Sequence, residues 1–196
     1  AARQVLRARR ETTQAGFTAE KIPRGWFTKH PILISDGPLH DEQRSKVGRF
    51  FAPAVVAERY TGLMESCADS LLAEAAASGT VRLDDLALYY SVEVTAEVVG
   101  LTSSPVRRMA RRLVGFFNQP PFDITRADLG RTAGQWAQAA INGLGPVLRF
   151  YVADVRPAIR ERRTRARQDV ISHLIAEDYT NADILVECVT TAPPAW

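Results

Sequence analysis

The sequence predicts an all-α fold, and three observations carry that prediction. Apolar residues recur at three- and four-residue spacing nearly everywhere, the period of one buried helix face. The one stretch that imitates a strand, YYSVEVTAEVV, is rich in β-branched residues, but Asp84, Asp85, Glu93 and Glu97 around it keep helical spacing. Glycines and prolines fall between the periodic runs and punctuate them. The composition agrees: 196 residues, 46% hydrophobic and 24% charged with a net charge of +3, suit a folded domain and exclude a disordered chain. Twelve glycines, eleven prolines and two cysteines exclude collagen-like and disulfide-framework proteins.

Residues 1–11 carry Val5 and Leu6 among charges and predict a short helix or the end of one. Residues 12–37 lose periodicity, with Gly16, Pro23, Gly25, Pro31 and Gly37 as punctuation, and read as a long loop. Its apolar content predicts a segment that folds over something or covers a core. A helix begins at Ser35-Asp36-Gly37-Pro38, with Pro38 at a first helical position and Asp41 and Glu42 in the first turn, and runs to about Phe51. The next, 54–77, buries Val56, Tyr60, Leu63, Met64, Cys67, Leu71 and Leu72 and ends at Gly79. Residues 83–101 repeat the pattern with Leu83, Leu86, Tyr90, Val94, Val98 and Leu101.

After Ser104-Pro105, a helix over 105–118 turns Met109, Leu113, Phe116 and Phe117 inward and four arginines outward. A loop to Gly130 precedes a long helix, 131–165, with Trp136, Ala140, Leu144, Val147, Leu148, Tyr151, Val155 and Ile159 on its buried side. Gly143, Gly145 and Pro146 should weaken or kink it. Asp169 caps a short helix through Glu177, and Asn181 opens a last one that ends at Pro193-Pro194. The whole, 1–196, reads as a single helical unit.

Enzyme signatures are scarce. The sequence has no phosphate-binding glycine loop, GxSxG, HExxH or CxxC. His30, His40 and His173 are too far apart for metal-ligand spacing, and no metal site is expected. Cys67 and Cys188 are isolated, no stretch approaches the roughly 18 apolar residues of a membrane span, and the N-terminus lacks a secretory core. A cytoplasmic protein is the expectation, with no membrane and no nucleic-acid partner. The arginines between Arg156 and Arg167 read as a solvated helix end.

One pair stands out. His40 and Arg44 are four apart and share a helix face, where they offer two donors to a carboxylate or phosphate. Taken alone, such a pair reads as ordinary surface.

Its flanks change that weighting. The run PILISDGPLHDEQRSKVGRFFAPAVV resembles a segment of the bacterial cytochrome P-450 family, in which a turn reading S-D-P/G-P-x-H is followed by x-x-x-R and an apolar stretch F-x-P-x-x-V. Ser35, Asp36, Gly37, Pro38, His40, Arg44, Phe51, Pro53 and Val56 occupy those places. The resemblance implies that His40 and Arg44 bind the propionates of haem b. It continues in order, with 12–37 similar to the loop over the substrate, 54–77 and 83–101 to helices D and E, and 105–118 and 131–165 to the lid helices F and G. Residues 169–178 and 180–188 are similar to helix H and the start of helix I. It implies a partial cytochrome P-450 fold, helices B to I, without the N-terminal sheet and the C-terminal haem-ligand half.

The departures limit what is carried over. The F-x-x-G-x-x-x-C-x-G loop and the Glu-x-x-Arg of helix K do not occur in this sequence, and neither Cys67 nor Cys188 stands in such a context. No catalytic residue is carried over, and the oxygen-activating role is not carried onto Thr190 or Thr191. The resemblance implies part of a monooxygenase that oxidises a small hydrophobic substrate with dioxygen and electrons from a redox partner such as a ferredoxin. The chain alone is expected to be inactive, and haem need not be held by it. Phe17, Ile22, Trp26, Phe27, Phe116, Phe117 and Phe122 are the substrate-lid candidates. The alternative is a haem-free, non-catalytic relative that acts as a partner or helper protein. Broad apolar faces on 131–165 and 181–190 should need a covering, either another copy or a missing C-terminal half.

Overall fold

A computed structural model describes residues 35–117 and 129–191 continuously, with residues 3, 4, 8, 32, 123, 125 and 126 as isolated positions and without the side chains of 116 and 117. Among the described residues every regular element is helical. Helix α1 spans Gly37–Gly48 and starts with Gly37 at a φ of +63° and Pro38 beside it. Asp41 and Glu42 fall past the first turn, not within it. Glu42 instead pairs with Lys46 four residues on, at 2.9 Å. A 3-10 turn, Arg49–Phe51, leads to a short helix Pro53–Val55, a π turn Val56–Tyr60 and helix α2, Thr61–Ser78.

Helix α3 spans Leu83–Val99 and α4 spans Val106–Phe117. Helix α5, Ala133–Phe150, opens on a capping box in which Thr132 and Gln135 each accept the other's backbone N–H. It passes through a π turn, Tyr151–Val155, into α6, Arg156–Thr164. Helix α7, Val170–Ala176, is capped by Asp169, which accepts the Ser172 N–H at 2.8 Å. Helix α8, Asn181–Thr191, is capped by Thr180 and Asp183 in the same reciprocal way.

The expected kink at Pro146 is displaced. Pro146 lies inside α5 without ending it. The irregularity falls at 151–155, where the Arg156 N–H reaches back five residues to the Tyr151 carbonyl. Pro157 follows directly, and a wider turn gives its ring the room that a regular helix denies it.

Neighbours pack in chain order: α2 on α3, α3 on α4, α4 on α5, and α6 on α7. Helix α8 then crosses α3, α7 and the 151–155 turn. The core forms where these meet, with Val92, Val99, Met109, Ile159, Ile171 and Ile184 almost fully buried. Each such side chain contributes about 1.5–3 kcal/mol by leaving water. Five predicted core positions are instead exposed: Leu72, Leu83, Ala140, Leu144 and Leu148. The buried stripe of α3 is carried by Val92, Ala96 and Val99, and α5 turns its apolar side outward until Phe150. Helical spacing marks several adjacent stripes, and the packing partner decides which one is covered. The expected bare face is therefore present on α5, whereas Ile184 and Cys188 on α8 are buried.

A polar network ties the turn after α3 to the 150–172 segment. Thr102, Ser103 and Ser104 each bond a different charged group: Thr102 accepts from Arg162 at 2.9 Å, Ser103 donates to Glu161 at 2.9 Å, and Ser104 donates to Asp154. Arg112 grips Asp154 with two bonds of 2.6 Å, so this arginine of α4 turns inward rather than outward. Arg162, expected in solvent, is 2% exposed and paired with Asp169 and Glu161. The other arginines of that run are exposed. A guanidinium enters the interior only with carboxylates to meet it. Asp154 lies 42 residues from Arg112, while Asp169, seven from Arg162, is brought to it by the turn between α6 and α7.

Candidate functional site

The site begins with how α1 is held. Its Gln43–Phe50 side faces the 173–179 segment: Lys46 pairs with Glu177 at 2.8 Å, and an Arg49 guanidinium nitrogen lies 2.6 Å from the His173 Nδ1. The Phe50 ring stands 5.8 Å from the His173 ring, and Gln43 and Phe50 are buried. The two carboxylates raise the Lys46 pKa, mainly through the hydrogen bonds that Glu177 and Glu42 accept from it. Burial, then the Arg49 charge, lowers the His173 pKa below its usual 6.5, against the pull of Glu177.

Neutral His173 therefore accepts from Arg49, and protonation would set two cations against each other. Because the folded pKa is the lower one, the unfolded chain binds the proton first as pH falls below about 6.5. Stability should drop as pH falls from about 7.5 to about 5.5, read as the urea midpoint, and H173Q should flatten that slope. An unchanged slope in H173Q would remove His173 as its source.

Clamped on this side, α1 presents His40 and Arg44 at the edge of its buried face. Successive helical residues turn by about 100°, which puts His40 about 60° and Arg44 about 100° around the helix from Gln43. His40 is partly buried, and its Nδ1 lies 3.3 Å from Asp41 Oδ1. With Nδ1 donating to that carboxylate, Nε2 donates to a further group only in the imidazolium form. Arg44 is exposed and makes no hydrogen bond or ion pair among the described residues. With their Cβ atoms about 5–6 Å apart, an imidazolium and a guanidinium suit a pair of carboxylates. The donor set fits the propionate end of a haem.

The thiols differ. Burial, with help from Glu93, pushes the Cys67 pKa up to about 11, and burial pushes Cys188 up as well, Glu187 and Asp169 adding to it. Both side chains are buried, and a protonated thiol is a poor metal ligand. Among the described residues no group of three or more His, Cys, Asp or Glu is placed to hold a metal ion.

The lid candidates Phe17, Ile22, Trp26, Phe27 and Phe122 lie outside the described residues, as do the side chains of Phe116 and Phe117. One contact from the predicted loop is present: the Ile32 N–H donates to Glu187 on α8 at 3.2 Å. Burial raises the Glu187 pKa, an effect opposed by that bond. Lys46, Arg49, His173, Glu177 and Glu187 were not legible as a set, because the contacts that join the two segments, Lys46–Glu177 and Arg49–His173, are far apart in sequence. Two clefts on the described surface are lined by residues of α4, α5 and the 151–155 turn, and by none of α1. No helix among the described residues is long and apolar enough to cross a membrane.

Comparison with known proteins bears on the fold. No protein-family model and no curated protein matches the sequence. Solved structures do match. The cytochrome P-450 enzyme CYP109B1 from Bacillus subtilis aligns with a TM-score of 0.60 at 20% identity, over 81% of this chain and 41% of its own. The P-450 BioI, in complex with hexadec-9Z-enoic acid ligated acyl carrier protein, aligns at 0.59 and 18%, over 82% and 39%. The LnmZ hydroxylase of the leinamycin pathway of Streptomyces atroolivaceus aligns at 0.52 and 24%, over 83% and 42%. The chain has the fold of part of a cytochrome P-450 and spans about two fifths of the length of these structures.

Proposed function

We propose that this chain is the helical middle of a haem-thiolate monooxygenase, with His40 and Arg44 holding the haem propionates. The supporting observation is the presentation of that pair: two donors on the outer edge of a helix clamped from behind, Arg44 with no partner among the described residues, within a P-450 fold. Bound haem would supply the activation of dioxygen, given a thiolate from outside the described residues. The chain's own residues then do simpler work. Arg44 and His40 neutralise and orient two carboxylates, Lys46 and Arg49 fix the helix that carries them, and Glu187 seats the Ile32 backbone against α8.

The substrate class is a small hydrophobic molecule, in keeping with the fatty acid carried in the BioI structure. Electrons would come from a redox partner such as a ferredoxin, and the setting proposed is the cytoplasm. Phe17, Ile22, Trp26, Phe27, Phe116, Phe117 and Phe122 stay the proposed lid.

The test is haemin titration of the full protein, followed in the Soret band. A charge-assisted hydrogen bond contributes about 1.5–3 kcal/mol, so H40A and R44A should each weaken haem binding roughly 10- to 100-fold, with R44K in between. Equal affinity in all three would remove the propionate assignment. A full protein that binds no haem, and shows no thiolate-type Soret band when reduced under carbon monoxide, would favour the haem-free partner reading instead.

A further inference from the structure

The groove between α4 and α5 is not accounted for by the haem reading. It has a volume of about 300 Å³ and is lined by Arg108, Arg111, Arg112, Gly115, Pro146 and Arg149. Arg112 is neutralised by Asp154 beneath it. Arg108, Arg111 and Arg149 are exposed, and their side chains have no hydrogen bond or ion pair among the described residues. Arg108 and Arg111 are three apart and share one face of α4, and Arg149 joins them from α5. Three uncompensated guanidinium groups around one groove repel one another, an arrangement that an anionic occupant relieves.

The groove does not end in polar surface. A second depression of about 470 Å³ continues it along Arg112, Leu148, Arg149, Val152 and Ala153. Beside it run Ile141, Leu144, Leu148 and Val152, all more than half exposed. At 1.5 Å per residue this apolar stripe is about 16 Å long. Basic groups next to an exposed apolar strip of that length match the rim and core of a protein interface. A free anion would use only the first part, and a nucleic acid would have no use for the strip.

We infer that the α4–α5 groove is a docking surface for an acidic protein partner, one that sets carboxylates against Arg108, Arg111 and Arg149 and an apolar side chain against Leu148. This does not depend on haem binding. Among the described residues the three side chains have no partner to lose, so R108Q/R111Q/R149Q should fold normally, with circular dichroism as the check. Arg112 is left in place because it holds Asp154.

The probe is a fluorescein-labelled amphipathic helical peptide with glutamates along one edge and leucines beside them, followed by anisotropy with the full protein at low and moderate salt. The triple variant should weaken binding at least tenfold and flatten its salt dependence. L148Q should weaken it severalfold without changing the salt slope. R160Q/R165Q, which removes two exposed arginines elsewhere, should leave it unchanged. The inference fails if R160Q/R165Q weakens binding as much as the triple variant, or if the peptide does not bind. It also fails if a single-stranded DNA oligonucleotide or inorganic phosphate displaces the peptide from these arginines at equal or lower concentration. Sedimentation showing that a second copy already occupies Leu148 would overturn it as well.

Discussion

Replacing Asp169 with alanine should cost about 3–5 kcal/mol of stability, because it strands a buried guanidinium. The Arg162 side chain is 1% exposed and donates to Asp169, to Thr102 and to nothing in solvent. Glu161 remains near its Nη1 at 2.9 Å, but that carboxylate is partly exposed and shared with Arg167. Asp169 also caps α7, and losing the cap adds about 1 kcal/mol. Urea denaturation of three variants separates the two effects. D169N keeps a good capping residue while losing the charge, and should fall between the wild type and D169A. R162M/D169A, which removes both charges, should recover part of the loss. If R162M/D169A is no more stable than D169A, the stranded charge is not the cause.

The second large effect belongs to Gly100, which faces the same carboxylate. Its φ is +100°, a conformation side chains rarely adopt, and a Cβ there would lie 2.6 Å from Asp169 Oδ2. G100A should therefore pay about 1–2 kcal/mol for the backbone alone, and more for pushing Asp169 off Arg162. The two substitutions share one cause and should not add. In a D169A background, G100A should cost little beyond the backbone strain, a coupling that a double-mutant cycle reads directly. Strict additivity would mean that the close approach is not what requires glycine.

These two sites show where sequence reasoning stopped. Gly100 reads from the sequence only as a helix stop, and Arg162 as one of several charges in a run. Both meanings come from Asp169, reached by folding α6 and α7 back onto the turn after α3. The same holds for Arg112 and Asp154. Arg112 and Asp154 are 42 residues apart, and Arg162 and Asp169, though only seven apart, meet across the turn between two helices, so neither pair shows as a helical spacing.

The candidate site was half legible. His40 and Arg44 could be chosen because four-residue spacing is a local property and their flanks resemble a known segment. What holds them could not, because Lys46–Glu177 and Arg49–His173 span more than a hundred residues. The α4–α5 groove was less legible still. Its arginines were visible as an outward face, but that three lack partners while Arg112 has one is a fact of packing.

Through hydrophobic period, turn residues and caps, the sequence by itself determined that the protein is all-α, nearly where its helices lie, and that one helix carries an imidazole and a guanidinium on one face. Those quantities depend on residues within a few positions of each other. Only the tertiary structure decided which apolar stripe of each helix is covered, which arginines leave the solvent, and what holds the site helix in place. Each of those is settled by a partner that chain folding brings close, at an energy that local spacing does not encode.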